Sequence, residues 1–227
     1  MPLIPHLWNW ARRETDSGWL AEFPPAVPCV WQASLVADPQ LESHLLSILT
    51  AAERARRERL QQPEDRQRFL TGRGLLRLLL GAHWKIPAAR VELGSGAAGK
   101  PFLLPAAAAP ALHFNVAHSG KIVLLAFHRT HEVGVDVEEI RPANDLAALA
   151  RRVFAPDEFR GWLQLDPAEQ PAAFYQEWTR HEARLKARGV GLAGESGTAA
   201  ETRLTCSDLA MPAGYHGAVA WDQAGAA

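Results

Sequence analysis

No run of apolar residues in this 227-residue chain is long enough to cross a bilayer. The N-terminal stretch lacks a basic start followed by an apolar core and a small-residue cleavage site, so no secretory signal is expected. Cysteine is almost absent. Cys29 and Cys206 are the only two, which excludes a disulfide framework or a Cys-rich zinc module and suits a reducing, cytoplasmic setting. A charge excess is missing as well: the formal net charge is -1, which gives no global electrostatic case for nucleic acid. No internal repeat stands out. What is present is 48% hydrophobic and 22% charged residues, the balance of an ordinary globular protein. The length suits one large domain or two small ones that share an interface.

The near-neutral total hides a local excess. Arg54, Arg56, Arg57, Arg59, Arg66, Arg68, Arg73 and Arg77 crowd one region. Such a cluster can hold a polyanionic small molecule or an acidic protein surface. Residues 1–26 show no clear period and read as irregular. Residues 27–36, apolar with β-branched and aromatic side chains, predict a strand. From Pro39 onward, Leu41, Leu45, Leu46 and Leu49 fall at helical spacing. Thr50, three residues before Glu53, has the capping-box spacing and starts an Arg-rich helix. Pro63-Glu64-Asp65 starts another, in which Phe69, Leu70, Leu75, Leu76, Leu79 and Leu80 form a broad buried face with Arg66, Arg73 and Arg77 off it. A solvated surface accounts for such arginines. A phosphate ligand accounts for one or two, because the guanidinium fork matches phosphate.

Gly99-Lys100-Pro101 interrupts a Gly- and Ala-rich connector. Pro101 keeps Lys100 extended and Gly99 allows close backbone approach, although a surface turn explains the same residues. Residues 112–116 and 122–127 read as neighbouring strands joined by the turn Ala117-His118-Ser119-Gly120-Lys121. That turn gathers an imidazole, a hydroxyl, a glycine and an amine, which suits phosphate binding; a solvated histidine is the plainer reading. Residues 145–154 predict a short helix, Pro156-Asp157-Glu158 opens another, and 167–188 predict a long one ended by Gly189. Phe174, Trp178 and Leu185 mark its apolar stripe. Residues 189–200 read as a mobile loop, Leu204 and residues 215–221 as closing strands, and 223–227 as a disordered tail.

The chain is organised around the strand at 132–138. Val133, Val135 and Val137 alternate with Gly134, Asp136 and Glu138, so the two carboxylates share a face. They repel each other unless a proton, a cation or water screens them. An edge strand with a solvated polar face meets that condition, and so does a bound cation. Glu182 and Lys186 lie one turn apart on the long helix; alone, they are a surface pair worth roughly a few tenths of a kcal/mol. Taken together, Asp136, Glu138 and Glu182 form a three-carboxylate set suited to Mg²⁺, a hard ion that prefers oxygen and keeps positions for phosphate and water. Lys100, His118 and the arginines supply phosphate contacts. These are the parts needed for displacement at phosphorus.

At this point the residues resemble a known family, the Sfp-type 4'-phosphopantetheinyl transferases. The matches run in order: Gly99-Lys100-Pro101, then Phe114-Asn115-Val116-Ala117-His118-Ser119, then Gly134-Val135-Asp136-Val137-Glu138, then Trp178-Thr179-Arg180-His181-Glu182-Ala183-Arg184-Leu185-Lys186. The resemblance implies an α+β fold, a pseudo-dimer of two similar α+β subdomains (1–130 and 131–227) with the active site in the cleft between them. It implies transfer of the phosphopantetheine arm of coenzyme A to a serine of an acyl or peptidyl carrier protein, releasing 3',5'-ADP. Asp136, Glu138 and Glu182 then hold Mg²⁺, Glu182 also takes the serine proton, and Lys186 stabilises the leaving phosphate. Lys100, His118 and Ser119 bind coenzyme A, with Arg56 or Arg73 near its 3'-phosphate. A chain carrying both halves can complete the cleft as a monomer.

Three positions depart from the family pattern. Ala117 stands where a serine is common, His181 where a lysine is common, and no arginine precedes the Gly-Lys-Pro turn near Ser95. None is a proposed metal ligand, so the departures bear on nucleotide affinity, and His181 makes that affinity depend on pH. Two other readings use the same residues. One is a Mg²⁺-dependent hydrolase of phosphoanhydrides with water as nucleophile. The other is a catalytically silent nucleotide-binding module.

Overall fold

Two small sheets, each backed by a long helix, meet along their apolar faces. The computed structural model describes residues 1–8, 26–95, 101–104, 112–142, 145–189 and 204–222. Lys100, the expected loop after Gly189 and the tail at 223–227 lie outside the described residues, as does most of the N-terminal stretch expected to be irregular.

The first sheet contains β1 (His6–Leu7), β2 (Cys29–Ser34), β5 (His113–Ser119) and β6 (Ile122–His128) in the order β1-β2-β6-β5. The second contains β7 (Val133–Glu139), β8 (Leu204–Asp208) and β9 (Tyr215–Asp222) in the order β7-β9-β8. A separate small hairpin pairs β3 (Leu93–Ser95) with β4 (Pro101–Leu103). Every pairing is antiparallel except β1 with β2. The result is the α+β, two-subdomain architecture expected from the sequence.

Helices α1 (Pro39–Ile48) and α2 (Ala51–Arg59) start where their caps dictate. Asp38 accepts from the Gln40 and Leu41 backbone N–H groups, and Thr50 and Glu53 close a reciprocal capping box. Helix α3 (Pro63–Trp84) then covers one face of the first sheet. Leu75, Leu76, Leu79 and Leu80 pack on Val123, Leu125 and Phe127 of β6. The alternate residues of β6, Ile122, Leu124 and Ala126, meet Val133, Val135, Val137, Val219 and Trp221 of the second sheet. β6 is therefore buried on both faces, which is why its sequence is an unbroken apolar run rather than an alternating one.

On the other side of the second sheet lies α6 (Gln170–Ala187), whose Ala183 and Ala187 touch Ala218 and Ala220 of β9. Helices α4 (Leu146–Val153) and α5 (Pro156–Leu163) pack on the N-terminal part of α6 around Phe174 and Trp162. The layers run α3, first sheet, second sheet, α6.

Two local expectations need correction. Ala117, His118 and Ser119 are not in the turn; they continue β5, paired with Leu124, Val123 and Ile122, and the turn is only Gly120-Lys121. Gly120 takes φ 52°, a left-handed conformation that glycine adopts without strain. Arg73 and Arg77 are not on a solvated face either: they are 7% and 1% exposed. Helix α3 is covered by the sheet on one side and by α1 and residues 88–91 on others. Arg77 donates to Glu53 Oε2 at 2.9 Å and to the carbonyls of Ala88 and Val91 at 3.1 and 3.0 Å. Arg73 Nη1 lies 3.4 Å from Glu53 Oε1. Burial lowers the Arg73 pKa, and Glu53 opposes that shift. The capping-box glutamate thus also serves as the shared counter-charge of two buried guanidiniums.

Candidate active site

Gly134 sets the geometry of the site. A Cβ there would overlap the Ala183 carbonyl and the Ala187 nitrogen of α6. Only glycine lets the helix lie this close. The valines of β7 turn to the core between the sheets, so Gly134, Asp136 and Glu138 face α6. β7 is an edge strand, but its polar face is covered by a helix rather than by solvent.

Asp136 is 4% exposed, and Lys186 Nζ reaches it from α6, donating to Oδ1 at 2.6 Å. Lys186 therefore makes an ion pair across the interface, beyond the pairing along its own helix that the spacing with Glu182 suggests. Asp136 Oδ2 is buried without a hydrogen-bond partner, and so is Glu182 Oε1. Each orphaned acceptor costs about 1–3 kcal/mol. Burial pushes the Asp136 carboxyl up, and Lys186 draws it part of the way back. Glu182 is raised by burial and then by the charge of Asp136. Glu138 is raised by burial, held down by its hydrogen bond from Ser119, and raised again by Asp136 and Glu182. The charges of Asp136 and Glu182 thus act on Glu138, and that of Asp136 acts on Glu182.

Among the described residues no three histidine, cysteine, aspartate or glutamate side chains are grouped so that they could hold a metal ion by themselves. The donor set nevertheless fits a divalent cation. Mg²⁺ is commonly held by one or two carboxylates plus substrate phosphates, and two buried carboxylate oxygens here have no hydrogen-bond partner.

The first sheet contributes the other wall. β5 and β7 run side by side with a constant offset, joined by side chains: the Val135 N–H donates to Asn115 Oδ1 at 3.1 Å, and the Glu139 N–H to Ser119 Oγ at 3.1 Å. Ser119 Oγ in turn donates to Glu138 Oε2 at 2.7 Å. The Lys121 N–H adds a further bond across the halves, to the Tyr215 hydroxyl at 3.1 Å.

His118 stands at the exposed end of β5. The protein packed round its ring lowers its pKa, and the charges of Arg68 and Lys186 lower it further. Arg68 is fixed by Gly120 O at 3.1 Å and Asp65 Oδ1 at 2.7 Å. Arg56 and Arg73 gather instead over the Phe69 ring, at 5.5 and 5.7 Å from its centroid. Asn115, Ser119 acting on Glu138, and Arg68 beside His118 are what sequence reasoning missed. Nothing in spacing separates Arg68 from its many neighbours, and side-chain bonds between β5 and β7 have no periodic signature.

Comparison with known proteins defines the class. The family model described as "4'-phosphopantetheinyl transferase, N-terminal" matches residues 36–130, and that described as "4'-phosphopantetheinyl transferase superfamily" matches 132–208. The chain is 36% identical over 164 residues to 4'-phosphopantetheinyl transferase HetI of Nostoc, covering 72% of this chain and 69% of that one. It is 29% identical over 147 residues to 4'-phosphopantetheinyl transferase Sfp of Bacillus subtilis, covering 65% and 63%. It is 37% identical over 133 residues to 4'-phosphopantetheinyl transferase AcpT of Escherichia coli K12, covering 59% and 63%. The chain belongs to the 4'-phosphopantetheinyl transferase family of enzymes.

Proposed function

We propose that this protein transfers the 4'-phosphopantetheine arm of coenzyme A to a serine of an acyl or peptidyl carrier protein, with Mg²⁺, and releases 3',5'-ADP. The observation that carries this reading is the meeting of Asp136, Glu138 and Glu182 with Lys186, three acids against one paired lysine at the junction of two sheets. Asp136, Glu138 and Glu182 would hold Mg²⁺, which when bound lessens the charge of the coenzyme A pyrophosphate. Glu182, raised above the usual carboxylate range, accepts the serine proton directly or through water. The serine oxygen bonds to the phosphorus that carries the pantetheine arm, and the bond from that phosphorus to the oxygen of the departing 3',5'-ADP breaks. Lys186, fixed by Asp136, stabilises the charge on that oxygen. His118 and Lys100 contact the coenzyme from the N-terminal half (1–130), and Arg68 joins Arg56 and Arg73 as a phosphate contact. The C-terminal half (131–227) carries the acids. The enzyme acts as a cytoplasmic monomer; among the described residues no helix is long and apolar enough to cross a membrane.

The test is to incubate the protein with coenzyme A, Mg²⁺ and a panel of apo carrier proteins, and to weigh the carriers. A mass gain of one phosphopantetheine on at least one carrier is expected. No gain on any of them overturns the proposal, and steady carrier-free breakdown of coenzyme A would replace it with a hydrolase.

A further inference from the structure

Ser119 ends β5 next to His118, and its place in the motif assigns it to coenzyme A. Its hydroxyl has a different engagement. The single proton goes to Glu138 Oε2 at 2.7 Å, and the oxygen accepts the Glu139 N–H at 3.1 Å. A serine hydroxyl has one proton to donate, and a phosphate oxygen is an acceptor that needs it. Turning Oγ toward a phosphate would give up the hydrogen bond to a partly buried carboxylate and weaken the anchor to the Glu139 backbone. The first loss finds no other partner, because among the described residues the only hydrogen bond to the Glu138 carboxylate comes from Ser119.

The bond also crosses between the halves. Glu138 is near the C-terminal end of β7, beyond the point where Gly134 locks the strand to α6. Asp136 is held by Lys186 within its own half, whereas Glu138 takes its orientation from the first sheet. We propose that Ser119 is a positioning residue that aims the Glu138 carboxylate for the divalent cation, and that it makes no contact with coenzyme A. This rests on the metal-dependent transferase reading given above.

The test measures binding to the metal-free protein with Mn²⁺ as the probe, by electron paramagnetic resonance, alongside steady-state kinetics. Partners that orient a metal ligand are typically worth 10- to 100-fold in metal affinity. Ser119→Ala should therefore weaken Mn²⁺ binding by about tenfold or more and raise the Mg²⁺ concentration needed for half-maximal rate. The KM for coenzyme A at saturating Mg²⁺ should stay within about twofold of wild type, since uniform substrate binding is untouched. Ser119→Thr keeps the hydroxyl and should restore Mn²⁺ affinity, which separates the effect from general loss of folding. Unchanged Mn²⁺ affinity with a raised KM for coenzyme A overturns the proposal and returns Ser119 to the coenzyme. A Ser119→Thr protein as weak as Ser119→Ala overturns it as well. Wild-type protein that binds no Mn²⁺, with or without coenzyme A, overturns the metal reading itself and this assignment with it.

Discussion

Two buried charge clusters sit on the two sides of this molecule, and they are built to opposite rules. In the N-terminal half, Glu53 faces Arg73 and Arg77, and both of its carboxylate oxygens are engaged. The Arg77 donors find Glu53 and two carbonyls, and Glu53 also closes its own helix cap. In the C-terminal half, Asp136, Glu138 and Glu182 share one cross-interface cation, Lys186, and two carboxylate oxygens are left without a hydrogen-bond partner. A satisfied cluster stabilises a fold. A cluster of neighbouring carboxylates with unused acceptors is costly in the free protein, and such perturbed groups mark candidate ligand sites.

Mutation should separate the two clusters. Glu182→Gln is expected to reduce transfer by about 10²- to 10⁴-fold, the usual worth of a general acid or base, while the melting temperature of the metal-free protein holds or rises. A full transfer rate, measured by carrier mass, would remove Glu182 from the chemistry. Glu53→Gln should do the reverse. It leaves two buried guanidiniums short of their counter-charge and should cost about 3–5 kcal/mol of stability, with the folded fraction still active. Urea unfolding checks this, and a cost below about 1 kcal/mol, the range of exposed pairs, would erase the contrast.

The pH dependence of stability gives a smaller effect with a definite sign. Asp136, Glu138 and Glu182 are raised in the folded protein, so between the ordinary carboxylate pKa and the raised one the native state binds more protons than the unfolded state. Their contribution to stability is therefore greatest at low pH and falls as pH rises through the raised values. Above those values the penalty is complete, and Mg²⁺ should relieve it. The difference between wild type and Glu182→Gln, from melts at pH 5 and pH 8 with and without Mg²⁺, isolates this contribution. A wild type that gains on the variant as pH rises would contradict it. The mildest test concerns His181, partly buried on α6. If it borders a phosphate, His181→Lys tightens coenzyme A binding more above pH 7 than below pH 6, and calorimetry at the two pH values reads the difference. An equal effect at both ends the titration idea.

The clusters also divide what the chain discloses. The strand carrying Asp136 and Glu138 and the helix carrying Glu182 and Lys186 are legible because each depends on local periodicity, of two and of 3.6 residues. The helix starts at Pro39, Thr50 and Pro63 are legible because caps are local too. A solvated face for Arg73 and Arg77 is what the pattern gets wrong, because a single-faced pattern assumes one buried side and α3 is buried on several. Gly74, against which Leu45 packs so tightly that a Cβ would meet its side chain at 2.9 Å, is the trace of that second covering. The turn after Val116 was misread because a strand of mixed polarity, with His118 and Ser119 at its end, looks like a loop until its partner is known. The bond from Lys186 to Asp136 spans 50 residues, and no spacing rule reaches that far.

The seam between β5 and β7 has a consequence for how the two halves were brought together. Each strand is the bare margin of its own sheet, and each is shielded by the other. Split the polypeptide between His128 and Val133, and both fragments would present a naked seven-residue margin, the kind of surface that recruits foreign strands into aggregates. The covalent link between them therefore keeps each margin covered by the other.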